Sequence, residues 1–230
     1  MSVNKIIFGI FAHPDDEAFG PCGALLQEIQ NGTDVHLITL TAGEGGMNPD
    51  NHTDLGGVRL EEWRAAGNLL GASSMHFLGY KDGQLNNVAM IEASKRIITL
   101  VTHTLASLPN NIEVEFMSLD LNGYTGHIDH IVATRAACQA FYTFKKNDPR
   151  FSRIRLACLP REIVPITNID WIYMEPGRTP DEIDETVDAR DLATTIKTIM
   201  QAHASQRADY EAAIKNQGAN LGLNYFIVKS

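Results

Sequence analysis

The sequence predicts an α/β fold: a mostly parallel sheet flanked by helices, with an irregular β/α extension toward the C-terminus. Three observations carry this. Strand-like and helix-like segments alternate from residue 5 to residue 144, the order that builds a parallel sheet wrapped by helices. The first strand-like run, KIIFGIFA at 5–12, is apolar almost throughout, as expected of a strand buried on both faces. The chain has 230 residues, of which 44% are hydrophobic. That is enough for a sizeable core, and residues 1–230 are read as a single domain.

The elements follow in order. After strand 5–12 comes a helix over 23–30, ended by Asn31-Gly32. Residues 34–41 (DVHLITLT) alternate as a second strand. Residues 41–57 are rich in Gly, Asn and Asp and are expected as a loop. A loop that long in a compact domain usually has a function. A helix over 58–70 stops at Gly71, and 74–78 is a third strand. A turn-rich connection over 80–87 leads to a long amphipathic helix over 88–108, closed by Pro109. Residues 112–118 form a fourth strand, 120–127 a second polar loop and 128–144 a helix. Beyond this the pattern loosens. Short strands are expected at 153–159, 162–166, 170–174 and 185–187, a helix at 192–205 and a last strand at 223–228.

The formal net charge is −9. An acidic chain lacks the basic footprint of a non-specific nucleic-acid binder and has no polybasic route to anionic membranes. No stretch approaches the ~20 apolar residues of a membrane span. The apolar run near the N-terminus is cut short by His13, Asp15 and Asp16, unlike a secretory leader. Cys22, Cys138 and Cys158 are widely spaced, with no C-x-x-C pair. Together these features point to a soluble, reduced, cytoplasmic protein.

Residues 13–17 (HPDDE) follow the first strand directly. In open α/β sheets, sites form outside the carboxyl ends of the strands. His13 and Asp16 are three apart, so on a turn entering a helix both can meet one ion. An imidazole with a carboxylate suits zinc, at roughly 2.0–2.2 Å per ligand. Asp15, between them, points elsewhere and is free to act on a water at the metal. The plainer alternative is that Asp15, Asp16 and Glu17 cap a helix and complement its dipole, with Pro14 at its start. That alternative leaves His13 beside two carboxylates unexplained.

Residues 127–130 (HIDH) follow another expected strand. His127 and His130 are again three apart; one can ligate while the other lines the reaction space. Asp129 can orient a histidine by accepting its free N–H. The alternative is an ordinary helix start, and a lone H-x-x-H is weak. Two such segments, each after a strand, are much stronger together. The first strand–helix turn lacks the G-x-G-x-x-G of a dinucleotide site, which argues against a dehydrogenase.

With these segments the sequence resembles the PIG-L / LmbE-like N-acetylglucosaminyl deacetylase family. The signature is Ala12 to Glu17 (AHPDDE) paired with His127 to His130. Residues 40–45 (LTAGEG) look like the family's L-T-x-G-E-x-G, Arg59 with Glu62 like its R-x-x-E helix, 78–82 (LGYKD) like its L-G-Y-[RK]-D, and 203–206 (HASQ) like its H-x-S-Q. Two positions depart: Ile128 replaces a proline, and Thr125 stands where some relatives have a tyrosine, with Tyr124 one residue earlier.

The resemblance implies a Rossmann-like fold and a divalent metal, usually Zn2+, with Fe2+ an alternative. It implies His13, Asp16 and His130 as ligands and Asp15 as general base. His127 would stabilise the oxyanion or protonate the leaving amine, with Asp129 as its partner. Arg59 and Asp82 would contact the substrate, though Arg59 can also be read as a salt bridge to Glu62 and Asp82 as a turn residue. The implied reaction removes an N-acetyl group from an amino sugar. The rivals are a deacylase or amidase of a non-sugar or thiol-conjugate metabolite, and a non-catalytic metal- or sugar-binding protein. Oligomeric state is open, although relatives are often oligomeric.

Overall fold

The computed structural model describes residues 4–106, 108–164 and 176–230. Its strands are β1 (Lys5–Phe11), β2 (Asp34–Thr41), β3 (Ser74–Tyr80), β4 (Glu113–Leu119), β5 (Phe151–Cys158), β6 (Glu185–Asp188) and β7 (Leu223–Lys229). They form one sheet in the order β3-β2-β1-β4-β5-β7-β6. The pairings from β3 to β5 are parallel, and β7 is antiparallel to both β5 and β6. The helices are α1 (Asp16–Phe19), α2 (Cys22–Gln30), α3 (Leu55–Leu70), α4 (Asn87–Leu105), α5 (Ile128–Lys145), α6 (Ala193–Gln201) and α7 (Arg207–Gln217).

The unbroken apolar character of β1 has a direct cause. Ile6, Phe8 and Ile10 pack into one core with α4 and α5, while Ile7 and Phe11 pack into a second core with α2, α3 and α6. Both faces are covered, so neither set of alternating positions can be polar. The stripe Ala89, Ala93, Ile97, Val101, Leu105 on α4 repeats every fourth residue and turns one face to the sheet. Each large side chain so buried contributes about 1.5–3 kcal/mol.

From β1 the chain winds outward through β2 to β3, then returns to place β4 on the other side of β1. The reversal falls between β1 and β4, and doubly wound sheets open their binding crevice at this point, beyond the strand carboxyl ends. HPDDE follows β1 and HIDH follows β4, so the topology delivers both segments to one crevice.

The structure departs from the expected elements in several places. Helix α3 begins at Leu55, earlier than expected, because the Asp54 carboxylate accepts the Gly57 N–H at 2.9 Å and caps it. Of the expected strand at 162–166, the last two residues lie outside the described residues, and the described part joins a short 3-10 turn, Arg161–Ile163, entered through Pro160, which cannot donate to a sheet ladder. The expected strand at 170–174 lies outside the described residues. The expected helix at 192–205 stops at Gln201, and the chain turns helical again as α7, an element that the sequence pattern does not predict. Between them the side chains of His203, Ser205 and Gln206 find partners elsewhere in the protein, which draws the chain off the helical path. Among the described residues, no helix is long and apolar enough to cross a membrane.

Candidate metal and catalytic site

The turn after β1 is held by Asp16. Its Oδ2 accepts the N–H groups of Ala12 and His13, both at 3.0 Å. Asp15 is the residue before α1, yet its side chain makes no capping hydrogen bond. Its φ is +109°, a conformation that strains a non-glycine residue by about 1–3 kcal/mol. The helix-cap reading therefore fails for Asp15, whose carboxylate lines a cavity of about 470 Å³.

Helix α5 begins at HIDH. The Nδ1 of His127 accepts the Asp129 N–H at 3.2 Å, so in a neutral His127 the proton sits on Nε2. One turn on, His130 Nδ1 lies 2.9 Å from the Gly123 carbonyl and donates to it, which leaves Nε2 as a lone pair. That lone pair is 3.1 Å from Asp16 Oδ1 and 3.1 Å from His13 Nδ1. Donors at about 2.0–2.1 Å around a tetrahedral ion stand roughly 3.3 Å apart. These two edges match that spacing, and the third, from His13 Nδ1 to the Asp16 carboxylate, is 3.8 Å at Oδ2, so a small inward shift of Asp16 completes a zinc-sized set.

Two further groupings share His13. The ring nitrogens of His13, His127 and His130 come within 4.8 Å of one another, as do donor atoms of His13, Asp82 and Asp129. Neither suits an ion as well as the first set. His127 Nδ1 is already engaged. Asp82 and Asp129 lie on the far side of the His13 ring, facing Nε2 at 3.0 and 3.6 Å. Although these contacts are close, His13 Nε2 makes no aligned hydrogen bond. The two carboxylates are suited to hold the outer side of a ligand, not the ion.

The expected partnership of Asp129 is thus differently placed. Its carboxylate accepts the N–H groups of Gly83 at 2.7 Å and Leu85 at 3.3 Å and faces His13, while only its backbone reaches His127. Asp82 also differs from a plain turn residue: besides facing His13, it accepts the Gly45 N–H at 2.9 Å.

Arg59 does not bond Glu62, as its own helix would suggest. It donates to Asp15 Oδ2 at 2.8 Å, to the Pro14 carbonyl at 2.8 Å and to the Gly43 carbonyl at 2.7 Å. Gly43 is required here, because a Cβ would sit 2.5 Å from the guanidinium and φ is +69°.

The electrostatics separate the two neighbouring carboxyls. Burial raises Asp15 to about 6 against the opposing pull of Arg59. Burial acts on Asp16 in the same direction, but His130 and His13 overcome it and hold Asp16 well below the usual carboxylate range. Burial disfavours the charged form of His13, yet Asp129, Asp16 and Asp82 together raise its pKa well above the ordinary value. His127 is lowered by burial and by the other two histidines, which favours its neutral form.

Six residues to which the sequence assigns no role in the chemistry also belong here. Tyr124, at φ +63°, lines the cavity with Phe19, Met47 and Gln206. Glu17 and His203 form a buried pair behind Asp15, with Glu17 Oε1 at 3.2 Å from His203 Nε2. The H-x-S-Q resemblance was the available signal for His203 and Gln206. Glu17 carried no signal distinct from a helix-start carboxylate.

Comparison with known proteins identifies the family. The family GlcNAc-PI de-N-acetylase (PIG-L) matches residues 8–141. A 1D-myo-inositol 2-acetamido-2-deoxy-alpha-D-glucopyranoside deacetylase of Geodermatophilus obscurus is 28% identical, covering 90% of this chain and 84% of its own. A probable N-acetyl-alpha-D-glucosaminyl L-malate deacetylase 2 of Bacillus anthracis is 27% identical over 94% of this chain and 88% of its own. Among solved structures, the N,N'-diacetylchitobiose deacetylase of Pyrococcus horikoshii aligns with a TM-score of 0.68 at 19% identity, covering 98% and 83% of the two chains. A 4-carboxy-2-hydroxymuconate hydratase of Pseudomonas putida KT2440 aligns equally well, with a TM-score of 0.68 at 18% identity over 100% and 97%. Likeness at that identity speaks for the fold alone; the assignment rests on the family match over more than half of the sequence. The chain belongs to the PIG-L family of de-N-acetylases, enzymes that hydrolyse amide bonds.

Proposed function

We propose that this enzyme removes the acetyl group from an N-acetylglucosamine derivative, with His13, Asp16 and His130 holding a zinc ion and Asp15 serving as general base. The observation that carries the reading is the convergence of His13 Nδ1, His130 Nε2 and Asp16 Oδ1 beside the Asp15 carboxylate in one cavity. Relatives that act on N-acetylglucosaminyl inositol and malate compounds support the sugar. When bound, zinc supplies Lewis-acid polarisation of the acetyl carbonyl and of the attacking water.

The chain supplies the proton handling and the orientation. Asp15 takes the proton of the water as it attacks the acetyl carbon. His127 donates its Nε2–H to the oxygen that becomes negative, and as a neutral imidazole it stays a donor throughout. Asp15, which then carries that proton, returns it to the leaving amine. Arg59 fixes Asp15 in place. Three cysteines without a disulfide support a cytoplasmic setting.

An acetate-release screen tests this reading against N-acetylglucosamine glycosides, thiol-conjugate amides and acylated amines. Acetate from a sugar substrate, abolished by chelator and restored by Zn2+ or Fe2+, is the expected result. Turnover of the non-sugar amides alone would move the substrate class but keep the mechanism. No amide turned over by the metal-loaded enzyme would overturn both.

A further inference from the structure

The residues 203–206 lie far in sequence from every group in the mechanism, yet three of their side chains reach into it. His203 is fully buried, and its Nε2 lies 3.2 Å from Glu17 Oε1. Glu17 is 1% exposed, and its other oxygen, Oε2, accepts the Asp15 N–H at 3.3 Å. Ser205 grips Glu62 through both its N–H and its hydroxyl, each at 2.7 Å. Glu62 stands one turn beyond Arg59 on α3, and Arg59 holds the Asp15 carboxylate. Gln206 donates to the Met47 carbonyl at 3.1 Å, closing the same side of the cavity.

The Asp15 N–H thus traces back to this segment through direct contacts, while its carboxylate is linked to it only through α3, the helix that carries both Arg59 and Glu62. Neither Glu17 nor His203 lines the cavity, so neither is placed to touch a substrate. A carboxylate at the start of a short helix would ordinarily face water, and burying it is costly unless it is partnered. Here the burial has a specific correlate: Asp15 sits in a left-handed conformation that surrounding structure must enforce. The N–H of that strained residue ends on Glu17, and Glu17 ends on His203. The Nε2 proton of His203 serves Glu17 and Nδ1 meets no polar partner among the described residues, so Glu17 is the ring's one hydrogen-bond partner, with the edge of Phe19 at 5.9 Å between centroids.

We propose that His203 and Glu17 are positioning residues for the general base: Glu17 holds the Asp15 N–H in its left-handed turn, and His203 holds Glu17. The proposal rests on the reading of Asp15 as the base.

The test compares His203→Phe with His203→Gln in the zinc-loaded enzyme, measuring metal content, kcat and KM on an N-acetylglucosamine glycoside, and the crystal structure. His203→Phe keeps the ring and removes the donor. It is expected to retain one zinc per chain and a KM within about twofold, while kcat falls about 30- to 100-fold as the base is misplaced. In its crystal structure Asp15 leaves the left-handed turn. His203→Gln, whose amide can donate to Glu17, recovers much of kcat. If His203→Phe does not fold, Glu17→Gln carries the test: its oxygen still accepts the Asp15 N–H, its amide donates to the other tautomer of His203, and kcat stays well above that of Asp15→Ala. Wild-type kcat in His203→Phe, zinc lost in step with activity, or a Glu17→Gln variant as inactive as Asp15→Ala would overturn the proposal. If wild type itself releases no acetate, the reading of Asp15 as base has failed, and the turn at Asp15 in the His203→Phe crystal structure still decides whether the pair positions it.

Discussion

Arg59 Nη2 lies 2.8 Å from Asp15 Oδ2, with both side chains buried. The guanidinium is anchored at the same time to the carbonyls of Pro14 and Gly43, so it spans the turn and the following loop without any substrate present. Lysine offers one point charge where arginine offers a planar fork, and cannot make all three contacts. Arg59→Lys should lower kcat about 10- to 100-fold, with metal content by mass spectrometry unchanged. A group that binds substrate equally in the ground and transition states would raise KM alone. A pure KM effect would therefore return Arg59 to the substrate-contact role that the family resemblance implied.

Asp129 should act through His13, the proposed metal ligand. Its carboxylate faces His13 Nε2 at 3.6 Å and accepts two backbone N–H groups from the loop carrying Asp82. Asp129→Ala strands those donors, at about 1–3 kcal/mol each, and removes one of two carboxylates behind the ligand. Zinc affinity, measured by competition with a chromophoric chelator, should fall about 10- to 100-fold. Unchanged affinity with a lowered kcat would instead make Asp129 a partner of His127.

The contrast between Asp129 and His13 shows what the sequence could carry. Strand β1 was legible because burial on both faces forces an unbroken apolar run, β2 because its residues alternate, and the two histidine segments because each comes after an expected strand. Which carboxylate serves which histidine was not legible. Asp129 sits two residues from His127 and 116 from His13, and only the sheet order that sets β4 beside β1 brings it to the latter. Glu17 was hidden for a similar reason. A carboxylate in a first helical turn looks the same whether it faces water or a histidine 186 residues away. The break after Gln201 was also invisible, since His203, Ser205 and Gln206 leave the helix for partners far along the chain.

At the opposite end of the sheet, Glu28 joins a charge network with Lys5 and Arg155, at 3.0 and 2.7 Å, which extends through Glu115 and Glu185 to Arg153. Burial would raise the Glu28 pKa, but Arg155, Lys5 and the Thr33 hydroxyl outweigh it and lower the value. Between the folded pKa and the ordinary one of about 4.3, the unfolded chain binds more protons, so stability rises with pH across that window. The contribution is fully present above it and is lost as pH falls through the folded value. Glu28→Gln should cost about 1–3 kcal/mol at pH 7 by urea denaturation. The gap to wild type should shrink below about pH 4. A gap constant with pH would assign the loss to packing and not to charge.

His127 should matter for turnover and not for metal retention. Its Nδ1 is occupied by the Asp129 N–H, and its Nε2 carries the proton, so it offers a donor where a ligand would need a lone pair. Burial and the neighbouring His130 and His13 lower its pKa, which keeps that donor neutral. Loss of one oxyanion donor typically costs about 10²–10³ in kcat. His127→Ala should show a loss of that size with full zinc content, and His127→Gln, which keeps an N–H, should lose less. His130→Ala is the control, because its lone pair lies 3.1 Å from both other donors and its removal should release the metal. If His127→Ala released zinc as readily, the three histidines would be the ligands, and Asp16, held at 3.0 Å by two backbone N–H groups, would only shape the turn.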